Sequence, residues 1–362
     1  MIGRDLRDRR LMIAVVGAAG MLVAGAFADH RSTAAAYLVA WIAVSAVPIG
    51  TLGVLMTSYL VRRAWTEELQ PAMTAICATL PIFGVLFLPV LLDLATLYPA
   101  AGPHAALPAF KVVYLAPWFV AARTVVYFIV WTWLALKLRA AWPDRDRTAR
   151  TACGGLIVYA ISVSFAGVDW IEALEPQFHS SIYGLLYLGM VLLDGVAGAI
   201  GLGLLLCGIR RAGGYSALLL STILLWAYLH AMQYIVIWSA NIPDEVAWYI
   251  DRSSNGWQFV LSLLAVGQLV FPFFALLSHR VRADRRWLLG LCALTLAMRI
   301  CEASVLAFPA IDGLHGWLAG IMLVTALALL MGVLAWGVAF RPRHGRWLNF
   351  APPRVRAEAE RR

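Results

Sequence analysis

All but five of the 29 Arg and Lys residues in this chain sit between alternate members of a series of long apolar stretches, or at the two ends of the series. The stretches run over about 11–28, 34–61, 72–97, 117–138, 152–170, 181–207, 215–238, 257–277, 287–308 and 314–340. A helix needs about 20 apolar residues to cross a hydrocarbon core roughly 30 Å thick, so each is a candidate span. The even-numbered gaps hold Arg62 and Arg63, then Arg139, Arg145, Arg147 and Arg150 with Lys137 at the end of the stretch before them, then Arg210 and Arg211, then Arg280, Arg282, Arg285 and Arg286. Further basic clusters stand before the first stretch and after Phe340. The odd-numbered gaps hold only Arg31, Lys111 and Arg252, while Arg123 and Arg299 lie inside spans. Because cytoplasmic loops carry the excess of Lys and Arg, this sorting predicts ten spans with both termini in the cytoplasm.

Composition narrows the class further. With 62% hydrophobic residues and a mean hydropathy of +0.78, the chain is not an ordinary soluble domain. The loops leave no room for a separate soluble domain, so residues 1–362 are expected to form a single polytopic membrane domain. Orientation against an anionic inner leaflet accounts for the net charge of +9, and no nucleic-acid partner is implied. The stretches are continuously apolar rather than alternating, which selects helices over a barrel. The first stretch follows Arg9 and Arg10 but lacks a small-residue cleavage site before Asp29, so it is expected to be a retained helix and not a signal peptide.

The five cysteines, Cys77, Cys153, Cys207, Cys292 and Cys301, form no CxxC pair, and only His230 of the seven histidines lies well within a span. A covalently attached haem, an iron–sulfur cluster or a two-histidine haem b is therefore not expected.

Ionisable groups inside a bilayer are costly unless paired or hydrated, and each is a functional candidate. Asp93, Asp169, Glu172, Asp194, His230 and Glu302 are the candidates for carrying protons. Arg123 and Arg299 are expected to pair with carboxylates, Arg299 and Glu302 sharing a helix face at i, i+3 spacing. Gln233, one turn beyond His230, can hydrogen-bond a quinone or water. Most of these groups lie toward the non-cytoplasmic side; Asp194 alone falls in the inner half, with no arginine near it in its own helix. The competing reading is structural: ion pairs that hold helices together, a hydrated helix end at Asp169, Glu172 and Glu175, and a packing histidine at 230. For the repeat Gly195, Ala199, Gly203, close helix packing is the expected role. No pair of broken helices of the transporter kind is evident.

Two outer loops carry ordered motifs. The first contains Val168-Asp169-Trp170 and Leu174-Glu175-Pro176, then Gln177-Phe178-His179 and Ser181-Ile182-Tyr183-Gly184. The second contains Gln233-Tyr234, Ile237-Trp238 and Asn241-Ile242-Pro243-Asp244-Glu245, followed by Trp248-Tyr249. An aromatic belt explains the rings but not the ordered polar residues. Glu175, His179, Asn241, Asp244 and Glu245 are the candidates for facing a partner.

These motifs, with a weaker echo in Arg123-Thr124-Val125-Val126-Tyr127-Phe128, resemble a membrane subunit of alternative complex III, a bacterial respiratory assembly that oxidises quinol. The likeness is to the second of its two homologous membrane subunits, in the polysulfide-reductase-like (NrfD-type) superfamily. It covers most of the fourth to eighth spans. Where the family shows His-Trp-Tyr after Glu-Pro, this chain has Gln177-Phe178-His179. The resemblance implies an all-α protein with two four-helix bundles, spans two to five and six to nine, flanked by spans one and ten. It also implies the bacterial cytoplasmic membrane as location. The partners would be the homologous membrane subunit, an iron–sulfur subunit related to molybdopterin enzymes, and haem c subunits. Quinone or quinol is the expected small molecule; no metal or covalent cofactor of this chain's own is expected. The chain would support quinol oxidation by its partners and proton translocation. A proton-coupled transporter and a purely structural anchor are the alternatives.

Overall fold

The computed structural model describes residues 30–61, 64–98, 109–141, 144–206, 213–311, 324–330 and 332–333. The first predicted span and all but a few residues of the tenth lie outside the described residues, as do both termini. Within the described residues there is no strand, and eight helical segments are long and apolar enough to cross a membrane. The architecture is that of an all-α, multi-pass membrane protein.

The first described span is α1 (His30–Val61). The apolar run expected at 72–97 follows, and it is not one helix. It divides into α2 (Ala64–Cys77), α3 (Leu80–Val85), α4 (Leu88–Leu92) and α5 (Leu94–Leu97). Pro81 and Pro89 stand in the first turns of α3 and α4, so each break falls just before a proline that cannot continue the ladder. Carbonyls freed in lipid must find donors elsewhere. Here α1 supplies them: Trp41 Nε1 donates to Phe83 O at 2.9 Å, and Tyr37 donates its hydroxyl to Leu86 O at 2.7 Å.

After the short helix α6 (Ala109–Tyr114) come the spans α7 (Pro117–Ala141), α8 (Arg145–Trp170), α9 (Tyr183–Leu206) and α10 (Gly213–Ala240). A second short helix, α11 (Pro243–Arg252), leads into a span with its own irregularity. There a π-helical segment, Ala265–Val270, joins α12 (Trp257–Leu264) to α13 (Phe271–Leu277). The series ends with α14 (His279–Ala283) and the span α15 (Arg285–Ile311). Hydropathy signals neither irregularity. Local chemistry marks several ends: Pro117 and Pro243 open α7 and α11, where a missing N–H costs nothing. Asp144 caps α8 by accepting from the amides of Asp146 and Arg147, both at 3.1 Å.

Helices α1, α2, α7 and α8 form one group, and α9, α10, α12–α13 and α15 a second. The groups meet where α1 and α9 pack together, α15 also touching α1 and α8 also touching α9. The closest approach is at Gly50 and Gly195. A Cβ on Gly50 would fall 1.5 Å from Val191 O, and one on Gly195 would fall 2.2 Å from the Gly50 carbonyl carbon. Lipid tails are as apolar as leucine, so helices gain from this contact through dispersion and backbone proximity and not through desolvation. The four aromatic rings of Trp41, Phe87, Phe128 and Trp131 surround Trp170 at 5.0–6.0 Å and fill the first group.

Candidate functional site

In the first group, Asp169 is fully buried at the C-terminal end of α8. Arg123 grips it with two bonds, Nε to Oδ2 at 2.9 Å and Nη2 to Oδ1 at 2.8 Å. Tyr127, one turn along α7, donates its hydroxyl to Oδ2 at 2.7 Å. The guanidinium also donates to Tyr114 O and lies between the rings of Tyr114 and Phe119, 3.9 and 4.3 Å from their centroids. This planar, bidentate geometry suits arginine and not lysine. Both carboxylate oxygens accept from donors on α7, so Asp169 ties α8 to α7 beside the aromatic cluster.

The second group holds a more open cluster. Arg299 on α15 reaches Asp194 on α9, Nε to Oδ2 at 3.2 Å, and Glu302 on its own helix, Nη1 to Oε2 at 2.8 Å. The i, i+3 pair expected from spacing is therefore formed. The cation that Asp194 lacks along its own helix comes across from the ninth span, so Asp194 is not an isolated carboxylate. Glu302 Oε1 accepts from Trp226 Nε1 at 2.7 Å and contacts His230 Nε2 at 2.9 Å, both from α10. Asp194, Arg299 and Glu302 are all at least nine-tenths buried.

Several polar atoms around this cluster have no hydrogen-bond partner among the described residues: Asp194 Oδ2 and Arg299 Nε, which meet only as an ion pair, Arg299 Nη2, the Tyr187 hydroxyl and Gln233 Oε1. The same holds for Thr295 Oγ1 and both amide atoms of Gln268, which belongs to the π-helical segment. Orphaned polar atoms in an interior are expensive, and water or a ligand group is the ordinary means of satisfying them. On α9, Tyr183, Tyr187 and Asp194 share one helix face, leading from the N-terminal end of the helix to mid-span. Tyr187 lies between the groups, with its ring 6.2 Å from that of Trp170 and 6.0 Å from the Arg299 guanidinium carbon.

The end of the second group that carries α11 has its own lock, built on Arg252, which the sequence presents only as one of three cations in the odd-numbered gaps. Its side chain is 1% exposed. It pairs with Glu175 at 2.9 Å, donates to Trp248 O and stacks over the Trp248 ring at 3.8 Å. It also donates to Val305 O at 3.0 Å and Leu306 O at 2.8 Å. Pro309 in α15 has no N–H for Val305 O, so Arg252 meets a need created four residues away. Burial lowers the Arg252 pKa while Glu175 pulls it back up; burial raises that of Glu175 against the opposing guanidinium. Replacing Arg252 by methionine is expected to lower stability by about 1–3 kcal/mol, the penalty for carbonyls left without a donor. Thermal unfolding in detergent, with amide exchange in residues 243–252, checks this; unchanged exchange there would remove the lock.

The remaining sequence candidates make their bonds elsewhere. Asp93 ends the broken third span, 3.0 Å from His30 Nε2 and bonded to Thr96. Glu172 accepts from the Ser180 amide at 3.3 Å, its Oε2 buried without a hydrogen-bond partner. His179 is exposed and meets Gln177 O. Asn241 adopts φ 49° at the end of α10, a left-handed turn that asparagine tolerates. Asp244 is exposed and Glu245 half-buried in the first turn of α11. Gln233 is buried and hydrogen-bonds Tyr249, whose pKa burial pushes up to about 12. Among the described residues, no group of three or more His, Cys, Asp or Glu could hold a metal ion.

Gln268, Thr295, Tyr187 and Trp226 escape a search for intramembrane charge because none is ionisable near neutral pH. Mid-span position is the signal available for the first two. Comparison with protein-family models matches none, and no curated protein matches the chain.

Proposed function

We propose that the chain is a membrane subunit of a quinol-oxidising respiratory complex of the alternative complex III type, placed in the bacterial cytoplasmic membrane. One observation carries the reading. Asp194, His230, Glu302 and Arg299, from three spans, converge in mid-membrane beside polar atoms without hydrogen-bond partners. The resemblance of the two outer-loop motifs supports it. Clusters of this kind mark ion or proton pathways in membrane bundles.

Each residue has a definite task in this reading. Glu302 and His230, in contact at 2.9 Å, pass a proton between carboxylate and imidazole. Arg299 poises both Glu302 and Asp194. Water at the orphaned atoms links Asp194 outward past Tyr187 and Tyr183. Gln233 Oε1 is the acceptor available to a quinol hydroxyl or to water. Arg123 and Asp169 brace the first group. Electrons travel through the iron–sulfur and haem c subunits expected as partners.

Mild-detergent purification of the tagged chain from its native membrane tests the assembly. Co-purifying haem c and large iron–sulfur subunits are expected; a haem-free chain, isolated while other complexes stay intact, overturns the proposal. Within an assembled complex, Asp194→Asn is expected to lower protons released per electron without loss of subunits. Unchanged stoichiometry would remove Asp194 from the path. A proton-coupled transporter is the second reading, favoured by the interruptions in the third and eighth spans. Those interruptions occupy non-equivalent places in the two groups, unlike the paired breaks of transporters.

A further inference from the structure

The breaks in the third span leave a groove on the exposed side of the first group. It has a volume of about 480 Å³ and lies between α3–α4 and α7. Gly84 forms part of its wall, since a Cβ there would press on the Phe128 ring at 3.1 Å. Val85, Leu88, Ile129 and Trp133 present apolar surface to it, and each is half or more exposed. On α7 the lining extends from Thr124 to Leu136, a length of roughly 18 Å at 1.5 Å per residue.

We infer that this groove seats the acyl chain of an anionic phospholipid from the arginine-rich leaflet, with the phosphate against Lys137. The inference requires only that these helices cross a membrane, and it is independent of the respiratory proposal. Three observations lead to it. The groove faces the hydrocarbon region, where lipid chains are the abundant occupant. Its lining offers little to a polar ring: the only hydroxyls are those of Thr124 and Thr132, and Thr124 already accepts from Trp170 Nε1 at 3.0 Å. The charge stands where a headgroup would reach. Lys137 is exposed one residue beyond Leu136, its ammonium 4.3 Å from the centroid of the Trp133 ring that lines the groove. Helix α7 contains no acidic residue to offset it. A lysine stem lying along an apolar ring with its charge at the interface is ordinary snorkelling, which leaves ammonium protons for a phosphate.

The test uses the full chain in nanodiscs containing phosphatidylglycerol or phosphatidylcholine with a diazirine on the acyl chain. After irradiation, cross-linked peptides are mapped by mass spectrometry. Labelling is expected to concentrate in residues 81–91 and 124–136, with phosphatidylglycerol favoured roughly fivefold, the ratio one basic residue near an anionic surface gives. Thr132→Trp fills the groove, and Val85→Trp fills it from the opposite wall. Either is expected to remove most of this labelling while exposed surfaces of α10 keep theirs. Lys137→Gln is expected to abolish the lipid preference and retain the chain labelling. Uniform labelling of all exposed spans overturns the inference, as does labelling unchanged in both tryptophan variants. Displacement of the label by excess isoprenoid quinone, with no effect of added phosphatidylglycerol, also overturns it by assigning the groove to a quinone tail.

Discussion

Gly195→Leu is expected to eliminate the folded, monodisperse protein, while Gly154→Leu leaves its yield and elution unchanged. The contrast isolates one contact. At Gly195 even the first added carbon would fall 2.2 Å from the backbone of Gly50, and backbone cannot rotate away. At Gly154 an added carbon meets nothing within 4 Å. Overpacking a core costs typically about 1–3 kcal/mol when side chains can shift. Here the only relief is separation of α1 from α9, the most extensively packed pair between the two groups. Size-exclusion profiles of tagged protein in mild detergent provide the measurement. A sharp peak at normal yield for Gly195→Leu would mean that the helices do not cross at these glycines.

Arg299→Met is expected to have the next largest effect, a loss on the order of 3–5 kcal/mol, because it leaves buried carboxylates without their cation. Asp194 would lose its ion-pair partner, and Glu302 would keep only the indole of Trp226 and the imidazole of His230. Neutralising the carboxylates in the same chain, Asp194→Asn with Glu302→Gln, is expected to restore most of the loss. Uncharged groups carry a far smaller desolvation penalty. Arg299→Lys should fall between, since an ammonium is a compact point charge and cannot span both carboxylates as the guanidinium fork does. Thermal unfolding of the set in one detergent decides the matter. A triple variant no more stable than Arg299→Met would show that loss of packing by the arginine stem, and not charge, sets the cost.

Hydropathy and charge sorting make the eight described spans legible, because in lipid a long apolar run has essentially one structural outcome. The Arg299–Glu302 pair is equally legible, for i, i+3 neighbours on a helix meet whatever surrounds them. Asp194 illustrates the opposite case. Its partner lies more than a hundred residues away, and depth along a span carries no information about which way the helix is turned. The third span misleads for another reason: Pro81 and Pro89 sit within an apolar run, which looks continuous while its backbone bonding is interrupted. The two donors that rescue freed carbonyls, Trp41 and Tyr37, belong to α1 and look like ordinary apolar packing until both helices are in place. Glu175, expected from its motif to face a partner, is paired within the chain with Arg252, a residue 77 positions away that the motif does not point to.

That lock also has a place in time. A ribosome makes Glu175 first, then Trp248 and Arg252, and only some fifty residues later Val305 and Leu306. Until the ninth span has threaded into the bilayer, the guanidinium has half its acceptors, and α11 has nothing on α15 to dock against. Domains generally consolidate from the N-terminus as they are synthesised. This face of the protein instead waits for a segment made some fifty residues after Arg252, so nascent chains stalled before residue 305 should present an unlatched surface to membrane quality-control proteases.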